Sequence, residues 1–119
     1  MDIRIPTMPF EFNGKEYTLC CNMNVLADVQ EAYNGNLMRA LVNPGSVKSS
    51  MTFLTAMLND CADSNSWPER YTVRQVGRML GGNPENVKML SSQIAGFIRK
   101  SMTTKKAEAD NGQEANEKN

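Results

Sequence analysis

The sequence predicts a mainly α-helical domain of the α+β class, with an N-terminal β-hairpin packed on a bundle of four to five short helices. Three observations predict it. An Asn-Gly pair at residues 13 and 14 lies between two runs of alternating apolar residues, which is typical of a hairpin. Beyond residue 22, apolar residues recur at helical spacings of three and four. From residue 103 no large apolar residue follows, so we expect one domain over 1–102 and a disordered polar tail over 103–119.

The turn of the hairpin is predicted at Asn13-Gly14, because both residues tolerate the positive φ angles of a two-residue type I′ turn. This turn sets the register of the strands and places Phe10 opposite Tyr17. We therefore expect the hairpin to cover about residues 9–21.

The two faces of the hairpin differ in polarity, because side chains alternate along a strand. The face that the helices should cover carries Phe10, Phe12, Tyr17, Leu19 and Cys21. The other face carries Glu11 opposite Glu16, a pair of like charges that disfavours burial. We expect this face to meet solvent or a basic partner, and the free edge of the hairpin to pair with a second subunit.

The first three helices are predicted from capping residues and apolar spacing. A first helix covers about 23–33, with Asn22 or Asn24 as its N-cap and a stop at 34–35, and a short second helix follows over 37–41.

Ser46 is the predicted cap of the third helix, whose apolar stripe contains Val47, Met51, Leu54, Leu58 and Cys61. Phe53 and Met57 lie four residues apart outside this stripe. They either widen the core face or form a partner surface, and the sequence favours neither.

Two further helices have clear start signals. Thr72 and Gln75 form a capping box before the fourth helix, which ends at Gly81-Gly82. Asn83 is the predicted cap of the fifth helix, and Pro84 occupies its first position. The apolar stripe of the fifth helix contains Val87, Leu90, Ile94, Phe97 and Ile98.

Charge is divided unevenly along a chain whose formal net charge is zero. Residues 1–69 carry four basic and eight acidic groups, whereas residues 70–102 carry six basic groups and one acidic group. This asymmetry fits a nucleic-acid face, complementary surfaces that associate head to tail, or two differently solvated faces without a partner.

The sequence lacks the motifs of several functional classes. The chain contains no histidine, no Gly-rich phosphate loop and no nucleophile motif, so we expect no enzyme activity. Its three cysteines lack metal-ligand spacing, and we expect neither metal nor cofactor. No apolar run approaches the roughly 20 residues of a membrane span, and the N-terminus lacks a signal-peptide pattern, so we expect a cytoplasmic protein without membrane contact.

Residues 72–98 offer an alternative, a small helix-turn-helix DNA-binding regulator, because a short helix, a Gly-containing turn and a second helix follow one another. The first turns of the second helix carry Glu85, Asn86 and Lys88, of which only one is cationic. This composition disfavours nucleic acid as the partner.

The run FEFNGKEYTLCCNMNVLADVQEAYNG resembles the start of tail assembly chaperones of long-tailed (siphovirus-type) bacteriophages or prophages. Members of this family often begin with an F-x-F-x-G-K-x-Y-x-L hairpin, an Asn-containing link and an acidic amphipathic helix that ends near Gly. A later T-x-x-x-V-G-x-x-L segment, here Thr72, Val76, Gly77 and Leu80, fits the same family. The resemblance spans most of residues 9–100.

The resemblance implies a non-enzymatic factor that binds the tape measure protein, keeps its long hydrophobic helix soluble and helps the tail tube protein polymerise around it. Such a factor acts in the cytoplasm of the bacterial host and is not expected in the mature virion. In many relatives a ribosomal frameshift adds a second domain, and Lys105-Lys106 could derive from a slippery sequence. The family has no catalytic residues to transfer to this chain.

The chain has nine methionines, whose flexible thioethers either fill an irregular core or line an adaptable protein-binding surface. The side chains that we expect to contact the client are Phe53, Met57 and Met89 through apolar contact and Arg74 and Arg78 through charge. Many copies along one client favour a weak homo-oligomer, for which Glu11 and Glu16 mark the expected self-association edge.

Overall fold

Two antiparallel strands and five helices follow one another in the computed structural model, which describes residues 5–102. This order confirms the predicted α+β class, with an N-terminal hairpin before a helical bundle. The tail predicted at 103–119 lies outside the described residues.

The hairpin has the predicted register. Strands β1 (Thr7–Phe12) and β2 (Lys15–Cys20) pair antiparallel, with Phe10 opposite Tyr17 and Glu11 opposite Glu16. The turn residues Asn13 and Gly14 have φ angles of 55° and 76°, as a type I′ turn requires. The residues of the apolar face that are buried are Phe12, Tyr17, Leu19 and Cys21, whereas Phe10 is half-buried.

The first four helices are α1 (Met23–Ala32), α2 (Leu37–Leu41), α3 (Val47–Ser64) and α4 (Val73–Leu80). Three predicted caps are present. The side chain of Asn22 accepts a hydrogen bond from the backbone N–H of Val25 at 3.0 Å, and Ser46 caps α3 in the same way. Thr72 and Gln75 form the reciprocal capping box of α4. Local sequence signals therefore place the helix starts correctly.

Helix α3 is the centre of the core. It packs against β2, α1, α4 and the middle of the fifth helix. Phe53 and Met57 are both 0% exposed, as are Leu54 and Leu58. The expectation that Phe53 and Met57 contact a client is therefore corrected: because α3 is covered on several sides, its second apolar strip is core as well.

The fifth helix, α5, has three consecutive parts: Pro84–Lys88, a π-helical part over Met89–Ile94, and an α-helical part over 95–102. Leu90, Ile94 and Ile98 are buried, but Val87 is 42% exposed. A π-helical turn inserts a residue into the helical period, which rotates the preceding turn by about 100° relative to the rest. This rotation explains why Val87 leaves the predicted stripe.

None of the helices within residues 5–102 combines the length and the apolar character needed to cross a membrane.

Candidate protein-binding surface

Two neighbouring grooves lie beside α3, one lined mainly by α1 and α3 and the other mainly by α4, and together we call them the trough. The two grooves share Val73. The first, which we call the acidic groove, has a volume of about 290 Å³ and is lined by Asp28, Glu31 and Ala32 of α1, by Thr52, Thr55, Ala56 and Asn59 of α3, and by Val73. The second, the basic groove, has a volume of about 360 Å³ and is lined by Met51, Val73, Arg74, Gly77 and Arg78.

Small side chains create the trough. Thr52, Thr55 and Ala56 lie on one face of α3 because they follow the helical spacing of three and four residues. In α4, Gly77 approaches Met51 so closely that a Cβ atom on the glycine would lie 3.4 Å from the Met51 sulfur. The floor is therefore formed by short or flexible side chains, which leave space for a partner.

The two flanks of the trough carry opposite charge. Asp28 and Glu31 are exposed on α1, and Arg74 and Arg78 are exposed one helical turn apart on α4. Within residues 5–102, none of these four side chains forms an ion pair, whereas Lys15–Glu69 and Arg70–Asp63 pairs are present elsewhere. Partial burial raises the pKa of Asp28, and the negative charges of Glu31 and Asp60 raise it further. A cation from outside would relieve this crowding of acids.

One buried hydroxyl beneath the acidic groove lacks a partner. Thr55 is 5% exposed, and its Oγ1 atom has no hydrogen bond to any residue of the described part of the chain. The neighbouring hydroxyls of Ser50 and Thr52 instead donate to the backbone carbonyls of Ser46 and Lys48, at 2.6 and 2.7 Å.

The predicted contact residues divide between surface and core. Arg74 and Arg78 come together on the rim of the basic groove. Met89 is half-buried against the core and does not line the trough, and Phe53 and Met57 lie in the interior. Met51, Val73 and Gly77 line the basic groove and offer the apolar contact that we expected from Phe53, Met57 and Met89. The sequence did not indicate the three lining residues, because a groove depends on how two helices approach each other.

The predicted self-association edge lies on the hairpin. Glu11 and Glu16 are exposed and directly opposite one another on the outer face of the two strands. They do not line the trough. Pairing of this edge with a second subunit remains a prediction.

A polar cluster fixes the segment that leads into α4. The Tyr17 hydroxyl donates to a carboxylate oxygen of Glu69 at 2.7 Å and lies 3.1 Å from the Tyr71 hydroxyl, while the Lys15 ammonium contacts Glu69 at 3.0 Å. Hydrogen bonds from Tyr17 and Lys15 lower the pKa of Glu69 to about 2. Burial, together with the bonds to its neighbours, raises the pKa of Tyr17 above its usual range.

Further contacts complete this attachment. Lys15 lies over the indole of Trp67, with 4.1 Å between the ammonium and the ring centroid, and the indole packs edge-on against Tyr17. Asn59 of α3 makes two hydrogen bonds of 2.8 Å with the backbone of Tyr71. The hairpin and α3 thus hold the segment before α4, and this positions Arg74 and Arg78.

Exposed apolar side chains also lie outside the trough. Met38 and Val42 are one helical turn apart in and just after α2, and they are 62% and 73% exposed. The others of large size are Ile5, Met23, Val47, Met79 and Val87. A partner could bury several of these side chains, but the structure does not group them in a single groove.

The helix-turn-helix alternative has its two helices in α4 and the first part of α5. The Asn86 side chain donates to the backbone carbonyl of Leu80 across the turn. The exposed residues of the second helix near this turn are Pro84, Glu85, Val87 and Lys88, of which only Lys88 is cationic. One cation beside one acid is a poor match to the phosphate backbone.

Within residues 5–102, no group of three or more histidine, cysteine or carboxylate side chains is placed to hold a metal ion. Comparison of the chain with protein-family models, with curated proteins and with solved structures finds no match.

Proposed function

We propose that this chain is a tail assembly chaperone of the long-tailed phage type, which binds a tape measure protein and assists polymerisation of the tail tube. The observation that carries the proposal is the basic groove, where an apolar floor of Met51, Val73 and Gly77 lies beside Arg74 and Arg78, which form no ion pair with any other residue of 5–102. The proposed client is the one that the resemblance of most of residues 9–100 to this family implies.

The basic groove suits an amphipathic helix as its occupant. Apolar side chains of the client would cover Met51 and Val73, and the flexible thioether of Met51 can adapt to different shapes. Arg74 and Arg78 are spaced by one helical turn, so they would meet acidic side chains at the same spacing on a client helix that runs alongside α4. Such a surface suits helices of many sequences, which a chaperone for a long hydrophobic helix requires.

The first test is the gene context. The genes beside that of this chain are expected to encode a tail tube protein and a tape measure protein. Neighbouring genes of an unrelated pathway would contradict the proposal.

The second test measures the groove directly. The chain is co-expressed with the tape measure protein encoded next to it, and the soluble fraction of the client is measured. Arg74→Glu with Arg78→Glu should lower client capture by about tenfold or more, because two attractive contacts become repulsive. The matched control is Lys88→Glu with Lys100→Glu, which changes the net charge equally at exposed positions outside the trough.

Circular dichroism of all variants establishes that each remains folded. Equal capture by the arginine variant and the control variant would exclude the basic groove as the client site. Failure of the unaltered chain to keep the client soluble would exclude the chaperone function itself.

A further inference from the structure

We propose that two copies of this chain associate face to face through the trough over α3, about a two-fold axis that runs along the trough near Val73. In this dimer, Arg74 and Arg78 of each copy face Asp28 and Glu31 of the other. The inference concerns this chain alone and does not depend on the identity of a client.

Charge complementarity identifies the second copy as the occupant. The trough has an acidic flank on α1 and a basic flank on α4, and neither flank is neutralised within residues 5–102. A partner with both signs of charge at the same separation would neutralise both flanks at once. A second copy of the chain has this arrangement because it has the same sequence and the same fold.

The position of the two flanks favours a closed dimer over a head-to-tail chain. Both grooves share Val73, so the acidic groove and the basic groove are neighbours. A rotation of 180° about an axis between them places each flank opposite the flank of opposite sign. The same patch is then used by both copies, which closes the assembly at two. If the complementary surfaces lay on opposite ends of the molecule, each copy could bind a further copy and an open chain would form instead.

The floor of the trough permits close approach. Thr52, Thr55 and Ala56 are short, and Gly77 has no side chain, so the two copies could bring their α4 helices near the partner's α3. The acidic groove then receives the partner's guanidinium groups, and each guanidinium has five N–H donors with which it can bind more than one carboxylate oxygen.

The test is a charge-reversal cycle read by analytical ultracentrifugation at low salt. The unaltered chain should sediment as a dimer. Asp28→Lys with Glu31→Lys, the acid variant, should raise the dissociation constant by more than about tenfold, as should Arg74→Glu with Arg78→Glu, the base variant. An equimolar mixture of the two variants should form a heterodimer, because all facing charges are again opposite.

A chain that carries all four substitutions should recover the homodimer, since both flanks are reversed together. Lys88→Glu with Lys100→Glu is the matched control and should dimerise like the unaltered chain. Raising the salt to about 1 M, where the Debye length falls to about 3 Å, should weaken the dimer.

Three results would overturn the proposal. One is a strict monomer at high protein concentration and low salt. Another is a dimer that the acid and base variants leave unchanged. The third is a mixture of the two variants that grows beyond two copies as concentration rises, because that behaviour belongs to a head-to-tail contact. Client capture is measured separately, so this proposal and the chaperone function can fail independently.

Discussion

Phe53 and Met57 illustrate how a side chain's surroundings decide its role. Both lie off the main stripe of α3, and a helix packed on one side only would expose them. Because β2, α1, α4 and α5 all contact α3, both are fully buried. Truncation of a buried phenylalanine typically costs about 3–5 kcal/mol. A binding defect in a Phe53 variant would therefore report loss of the fold, which is why the experiments above use exposed charges.

Glu69 is a second residue whose behaviour depends on its neighbours. Its carboxylate accepts a hydrogen bond from Tyr17 and contacts Lys15, and its pKa falls from the ordinary 4.5 to about 2. The folded state therefore binds the proton more weakly than the unfolded state does. The resulting stabilisation is complete above about pH 4.5 and is lost as the pH falls towards 2.

We expect the free energy of unfolding to fall between about pH 5 and about pH 2 in the unaltered chain, and to fall less steeply in Glu69→Gln. Tyr17→Phe removes the largest cause of the lowered pKa and should also flatten the profile. Urea unfolding at a series of pH values measures how the free energy of unfolding of each variant depends on pH. Identical slopes for the unaltered chain and Glu69→Gln would show that Glu69 titrates normally in the folded state.

At the scale of elements, α4 is well specified by local sequence and yet depends on the rest of the molecule. Its capping box and its terminal glycine define both ends. Val76 is the fully buried residue of α4. The orientation of α4 is therefore set largely by Val76 and by the segment before the helix, which Tyr17 and Glu69 anchor. The trough exists because α4 is held at this distance from α3.

Gly77 within α4 and Gly81 directly after it should respond to alanine with stability changes of opposite sign. Gly77→Ala should stabilise the fold by about 0.5–1 kcal/mol, because alanine favours the helix and the flexible Met51 can yield to a Cβ at 3.4 Å. Gly81→Ala should destabilise it by about 1–3 kcal/mol, because Gly81 has φ 72° and ψ −179°, a region that side chains rarely adopt.

Chemical denaturation of the two variants measures both effects. Since the added methyl at Gly77 also narrows the basic groove, client capture should fall in Gly77→Ala and persist in Gly81→Ala. Destabilisation by Gly77→Ala would mean that Met51 cannot move, and that the floor of the groove is rigid.

At the scale of the whole molecule, the two proposals use the same surface. Arg74 and Arg78 belong to the basic groove that we propose for a client, and they also face the second copy in the proposed dimer. A client and a second copy would therefore compete. Addition of a client segment to the dimer should produce one-to-one complexes with a single copy of the chain, measured by ultracentrifugation or native mass spectrometry. A complex that retains two copies on one short client helix would show that the surfaces are separate.

The sequence by itself determined the elements of this protein. The Asn13-Gly14 turn, the strand register and the caps at Asn22, Ser46 and Thr72 were predictable, because each depends on residues only a few positions apart. Turn chemistry, capping and apolar period act locally and leave a clear pattern in the chain.

Tertiary structure alone decided which surfaces remain available. It buried Phe53 and Met57, rotated Val87 out of the core through a π-helical turn and brought Glu69 to Tyr17, 52 positions away in the chain. It also placed Asp28 and Arg74 in two neighbouring grooves that share Val73. These outcomes depend on the distance and angle between packed elements, and apolar spacing along one helix carries no information about either.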